Sequence, residues 1–99
     1  MKSHRVRFTP EAFRLISKLP PDVKKLIGSA IDDLRQAPFK GSELAGEFVG
    51  YRSIKTRRYR IIYRLNEESS LLEIYHVGHR RDVYEVLRAL LESSSKRER

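Results

Sequence analysis

The chain has no cysteine, which excludes disulfide bridges and thiolate metal sites and leaves a cytosolic setting unopposed. Its three histidines are a weak ligand set by themselves, so neither a metal nor a small-molecule cofactor is expected. Long apolar runs are missing too. No window approaches the roughly 20 apolar residues of a membrane span, and the opening MKSHRVRFTPEAF lacks the core of a secretory signal. The expectation is a soluble, cytoplasmic protein without a membrane partner. Negative charge is locally absent: no acid lies between Glu47 and Glu67, while YRSIKTRRYRIIYR carries Arg52, Lys55, Arg57, Arg58, Arg60 and Arg64.

What the chain does contain is enough for one core. At 99 residues folding buries roughly 60 to 70% of the surface of the unfolded chain, which leaves no room for a second module. We read one domain over 1–92 and a basic, solvated tail over 93–99, ESSSKRER supplying its composition. A net charge of +8 with 34% charged residues bears on partners more than on fold, and it points to polyanions, nucleic acid first.

Periodicity gives the elements. HRVRF alternates, with Val6 and Phe8 on one side and Arg5 and Arg7 on the other, as in a short half-buried strand. In TPEAFRLISKL, Thr9 is placed to cap, Pro10 suits the first helical position and Glu11 complements the dipole, with Phe13, Ile16 and Leu19 as the buried stripe. Pro20-Pro21 ends that helix and opens another, where Val23, Leu26, Ile27, Ala30, Ile31 and Leu34 recur at spacings of three and four. APFKGSELAGEFVG reads as a loop. From Arg58 the period becomes two: Tyr59, Ile61, Tyr63 and Leu65 share the core face, and Arg58, Arg60, Ile62 and Arg64 the other. NEESS is a turn, LLEIYHVGH a strand that Gly78 ends, and a last helix is expected from about Asp82 with Val83, Val86, Leu87, Leu90 and Leu91 on one side. The fold class is α+β, in the order β-α-α-β-β-β-α. An antiparallel-rich sheet of about four strands has the helical hairpin on one face and the basic residues on the other.

A charge run is ordinarily a solvated face. Here Arg58, Arg60 and Arg64 repel one another at spacings of two and four, so gathering them on one face favours an anionic partner. Phosphate fits, because the guanidinium fork matches its oxygens and stays charged. Tyr51, Tyr59, Tyr63, Tyr75 and Tyr84 interleave the cations as base-stacking or core residues. VGHRRDVY then brings His79, Arg80, Arg81 and Tyr84 to a strand end, where neighbouring strands about 4.8 Å apart converge on one phosphate.

The helical hairpin, GYRS, YRIIYRL, the acidic turn and the closing VGHRRDVY together resemble the RelE/ParE superfamily of type II toxin-antitoxin toxins, from Val6 to about Leu87. The resemblance implies a toxin held by a cognate antitoxin. RelE-type members cut messenger RNA on the ribosome without metal, and ParE-type members inhibit DNA gyrase on the same fold. It also implies roles: Arg52 as the first basic residue of the second strand, Arg60 as the arginine after the tyrosine of the third, Tyr84 as the terminal tyrosine, and Arg80 or Arg81 as the phosphate-binding arginine. One departure stands out. RelE carries two basic residues two apart on the second strand, whereas Arg52 and Lys55 are three apart, so Lys55 joins Arg52 only across a bulge or slip.

The expected chemistry is attack by the RNA's own 2′-hydroxyl on the adjacent phosphate. Arginine cannot be the base, so Arg60 with Arg80 or Arg81 stabilises the phosphorane, and the base is Lys55, Tyr84 or His79. Imidazole is a common general acid or base, which recommends His79; its structural alternative is closing the turn after Gly78. His76 is expected to be a satisfied strand residue. Arg52, Lys55, Arg57, Arg58 and Arg64 form the expected nucleic-acid-binding set. The expected partners are ribosome, mRNA and antitoxin, and a non-catalytic nucleic-acid-binding module is the remaining alternative.

Overall fold

The Thr9-Pro10 pair starts a helix as its chemistry predicts. The Thr9 hydroxyl accepts a hydrogen bond from the Ala12 N–H at 3.1 Å, and Pro10 occupies the first turn. The computed structural model describes residues 4–79 together with Glu85, Arg88, Ala89 and Glu92. These comprise β1 (Arg5–Phe8), α1 (Pro10–Ser17), α2 (Pro21–Gln36), β2 (Ser42–Glu43), β3 (Arg52–Thr56), β4 (Tyr59–Asn66) and β5 (Leu71–His79). The four isolated residues are helical. The apolar stripe expected on the last helix, the tail over 93–99, and Arg80, Arg81 and Tyr84 lie outside the described residues.

The sheet has five strands in the order β1-β5-β4-β3-β2, one more than the sequence suggests. The addition is β2, two residues within the expected loop, paired antiparallel to β3. Only the β1–β5 pair is parallel; β3, β4 and β5 form an antiparallel meander. The helical hairpin therefore carries the chain from one sheet edge to the other across a single face. There Ala12, Ile27, Ile31 and Leu34 meet Ile61, Tyr63, Leu72, Ile74 and Val77. Phe13, expected in this stripe, is 65% exposed. Ala12 is the buried residue of α1, with Ile16 and Leu19 packed beside it.

A bulge sets the faces of β5. Ile62 pairs with His76 but Tyr63 pairs with Ile74, so Tyr75 is the extra residue. Its insertion changes the phase of alternation. Val77 lies in the helix-side core before the bulge, and Ile74 and Leu72 lie there after it, whereas strict alternation would have turned one group outward. A second small core of Phe48, Tyr51 and Ile62, with Leu44 and Tyr75 beside it, occupies part of the other face, which is therefore less open than expected. Arg88 anchors the carboxy-terminal helical residues nearby, donating to Glu47 Oε2 at 2.9 Å over the Phe48 ring.

Candidate functional site

Cross-strand partners point to one side of a sheet, so register assigns each cation to a face. Lys55 pairs with Arg60, and Arg60 with Gly78. This row lies on the face away from the helices. In the adjoining row Ser53 pairs with Ile62 and Ile62 with His76. Arg60 is half-buried and reaches diagonally between the rows, its Nη1 donating to Ser53 Oγ at 2.6 Å. Its Nε is buried without a partner. Lys55 is exposed beside it, and on the other side the His76 ring lies over Gly78, its Nε2 2.7 Å from where a Cβ would stand.

Arg52 is parted from this row. It pairs with Tyr63, a core residue of the helix-side face, and no register shift interrupts Arg52–Thr56. With an odd separation and no bulge, Arg52 and Lys55 project to opposite faces. Arg52 instead donates to the Gly41 carbonyl at 2.7 Å and lies 4.9 Å over the Phe39 ring. Both contacts tie the 37–41 loop to β3.

Arg57 and Arg58 form the tight turn between β3 and β4, Arg57 at φ 55. With Tyr59 they line one wall of a cleft of about 720 Å³, opposite Asp22, Val23, Lys25, Leu26 and Ser29 of α2. Arg58 thus belongs to the turn and not to the Arg60 face. Arg64 is exposed, pairs with Glu73 in register and lies 5.7 Å from the Tyr51 ring centroid. His79 is the last residue of β5, one beyond the expected end, and its ring stacks on Tyr59 at 4.8 Å and 28°. It shares the strand end with Arg60 but not its face, since it pairs with Tyr59.

Among the described residues, no acid neutralises the cations of the β3–β4 hairpin. Among the described residues the ion pairs are Arg7–Glu73, Arg14–Glu11, Arg35–Asp32 and Arg88–Glu47, and none takes in Lys55, Arg57, Arg58 or Arg60. Among the same residues, no group of three His, Asp or Glu side chains is arranged to hold a metal ion. No helix among them is long and apolar enough to cross a membrane.

Sequence reasoning missed Ser53 and misjudged His76. Ser53 alternates with Lys55 and so shares its face, a usable signal. His76 is 4% exposed and its Nδ1 is buried without a partner, contrary to the expected satisfied residue. Burial holds its pKa below the usual 6.5. The unfolded chain therefore takes up a proton near pH 6.5 that the folded chain resists, and His76 opposes folding as pH falls through that value. Melting temperatures of the wild type and His76→Leu are expected to diverge below pH 6.5, the wild type dropping more steeply. Parallel curves down to pH 5.5 would contradict this.

Residues 6–84 match the family described as ParE toxin of type II toxin-antitoxin system, parDE. Toxin RelG of Mycobacterium tuberculosis is 36% identical over 83 residues, covering 82% of this chain and 95% of that protein. Among solved structures, the toxin-antitoxin complex RelBE2 from M. tuberculosis contains a chain matching at TM-score 0.73 and 35% identity, over 79% of this chain and 99% of its own. The isolated E. coli RelE toxin shares the fold at TM-score 0.70 and 22% identity, over 89% of this chain and 99% of its own.

Proposed function

The chain belongs to the RelE/ParE superfamily of type II toxin-antitoxin toxins, and from that premise we propose that it is a ribosome-dependent endoribonuclease that cuts mRNA without a metal ion. The observation that carries this reading is the Lys55–Arg60–Gly78 row: cations that pair with no carboxylate among the described residues, on the face away from the helices. In the reaction the 2′-oxygen attacks phosphorus, the P–O5′ bond breaks, and the 5′-oxygen leaves with a proton. The products are a 2′,3′-cyclic phosphate and a 5′-hydroxyl. Arg60 donates to the non-bridging oxygens as charge develops on the phosphorane, with Arg80 or Arg81 joining it. Lys55 is the favoured base because it shares Arg60's row. His79 faces the other side of the sheet, stacked on Tyr59, which leaves Tyr84 as the candidate for the proton to the 5′-oxygen. Arg57, Arg58 and Arg64 attract flanking phosphates, whereas Arg52 supports the loop.

The partners on this reading are the ribosome, its message and an antitoxin, the last because related toxins are solved in toxin-antitoxin complexes. The setting is the cytoplasm. The family description favours one alternative, a ParE-like gyrase inhibitor without nuclease chemistry. Primer extension on messages after brief induction in a bacterial host separates them. Cuts within translated frames, ending in 2′,3′-cyclic phosphate, are expected. Intact messages with DNA damage would replace the reading by gyrase inhibition, and intact messages without it by a binding module.

A further inference from the structure

His76 and Arg60 lean into each other's rows. A Cβ on Gly78 would lie 2.7 Å from His76 Nε2, so the imidazole lies along β5 where a side chain at position 78 would stand, directly across from Arg60. Arg60 leans the opposite way, toward Ser53. The two side chains thus stand in adjoining rows of one face, and each brings a buried nitrogen without a partner, Arg60 Nε and His76 Nδ1. Unpaired buried polar atoms are rare because each costs its full desolvation. Two of them in adjoining rows, beside an exposed lysine and a glycine, are explained if a ligand supplies the missing acceptor.

We propose that His76 is a substrate-binding residue of this face, where its imidazole and the Arg60 guanidinium each receive a phosphodiester oxygen of the bound strand. A phosphate oxygen only accepts hydrogen bonds, which suits Arg60 Nε–H and an imidazole N–H alike. Gly78 has the matching role of leaving the ring its place. The uncharged ring adds a donor without adding to the repulsion between Lys55 and Arg60. This inference rests on the nucleic-acid reading and deepens it.

The test uses the full chain with histidine rings isotopically labelled and a short 2′-O-methyl oligoribonucleotide, which binds but cannot be cleaved. A saturable shift of the His76 ring-nitrogen resonance is expected on titration. His76→Leu is expected to keep or raise the melting temperature yet bind about tenfold more weakly, the scale of one lost hydrogen bond. His76→Asn and His76→Gln keep an amide nitrogen near Nδ1 and Nε2 respectively, and one of them should recover most of the affinity. An unmoved His76 resonance while the wild type binds, or wild-type affinity in His76→Leu, would reduce the ring to a core filler. If His76→Leu does not fold, the wild-type titration decides by itself. Failure of the wild type to bind the oligonucleotide at all would overturn this inference, while the ribosome-dependent reading stands or falls by the primer-extension test.

Discussion

Replacing Arg60 with alanine is expected to lower mRNA cleavage on programmed ribosomes by about 10²- to 10³-fold, the usual consequence of removing one preorganised donor to a developing oxyanion. Growth inhibition should vanish with it. The fold should survive, because among the described residues Arg60 makes one hydrogen bond, to Ser53, and buries an Nε that has no partner. Losing the first and relieving the second nearly offset, leaving a net effect within about 1 kcal/mol. Arg60→Lys should recover only part of the rate, since a point charge lacks the planar fork. Arg52→Ala is the control: it removes the tie to the Gly41 carbonyl, so it should lower the melting temperature while sparing turnover at temperatures where it is folded. An Arg60→Ala protein that remains fully toxic would move the site elsewhere.

The contrast between Arg52 and Arg60 shows what the sequence makes legible. Alternation along YRIIYRL separates Tyr59, Ile61 and Tyr63 from Arg60, Ile62 and Arg64, and the structure keeps that separation because β4 is central and one face must be buried. The same rule puts Arg52 and Lys55 on opposite faces unless a bulge intervenes. The bulge exists, but in β5 at Tyr75, where LLEIYHVGH gives no local sign of it; only the demand that Leu72, Ile74 and Val77 all reach one core reveals the change of phase. Phe13 misleads for a different reason. An eight-residue helix crosses the sheet on a narrow line, and Ala12 lets it approach closely, which leaves a large neighbour at the margin. His76 was illegible because its distinction is a missing partner, a property of packing and not of pattern.

Tyr63 carries the largest expected effect on stability. It is fully buried, and its hydroxyl donates to the Pro38 carbonyl at 2.7 Å while accepting from the Gly41 N–H at 3.0 Å. Burial raises its pKa above the usual 10, against smaller opposing effects of the Gly41 hydrogen bond and Arg52, so the phenol stays protonated and able to donate. Tyr63→Phe keeps the packing but leaves both backbone groups without that partner, a loss of about 1 to 3 kcal/mol. Tyr63→Ala adds a cavity and should cost about 3 to 5 kcal/mol, a large part of the roughly 5 to 15 kcal/mol that holds such a domain folded. Gly41→Ala should resemble the phenylalanine variant, because a Cβ there would lie 2.6 Å from the Tyr63 hydroxyl and 2.9 Å from the Ser53 carbonyl. At about 4 to 8 °C per kcal/mol for this size, Tyr63→Phe should melt at least several degrees below the wild type by circular dichroism. The same loop leads into β2, which pairs with Arg52 and Ser53, so loosening it also frees the strand that presents Lys55. If Tyr63→Phe melts with the wild type, the hydroxyl does not hold the loop, and the placement of Lys55 beside Arg60 must come from the β3–β4 pairing alone.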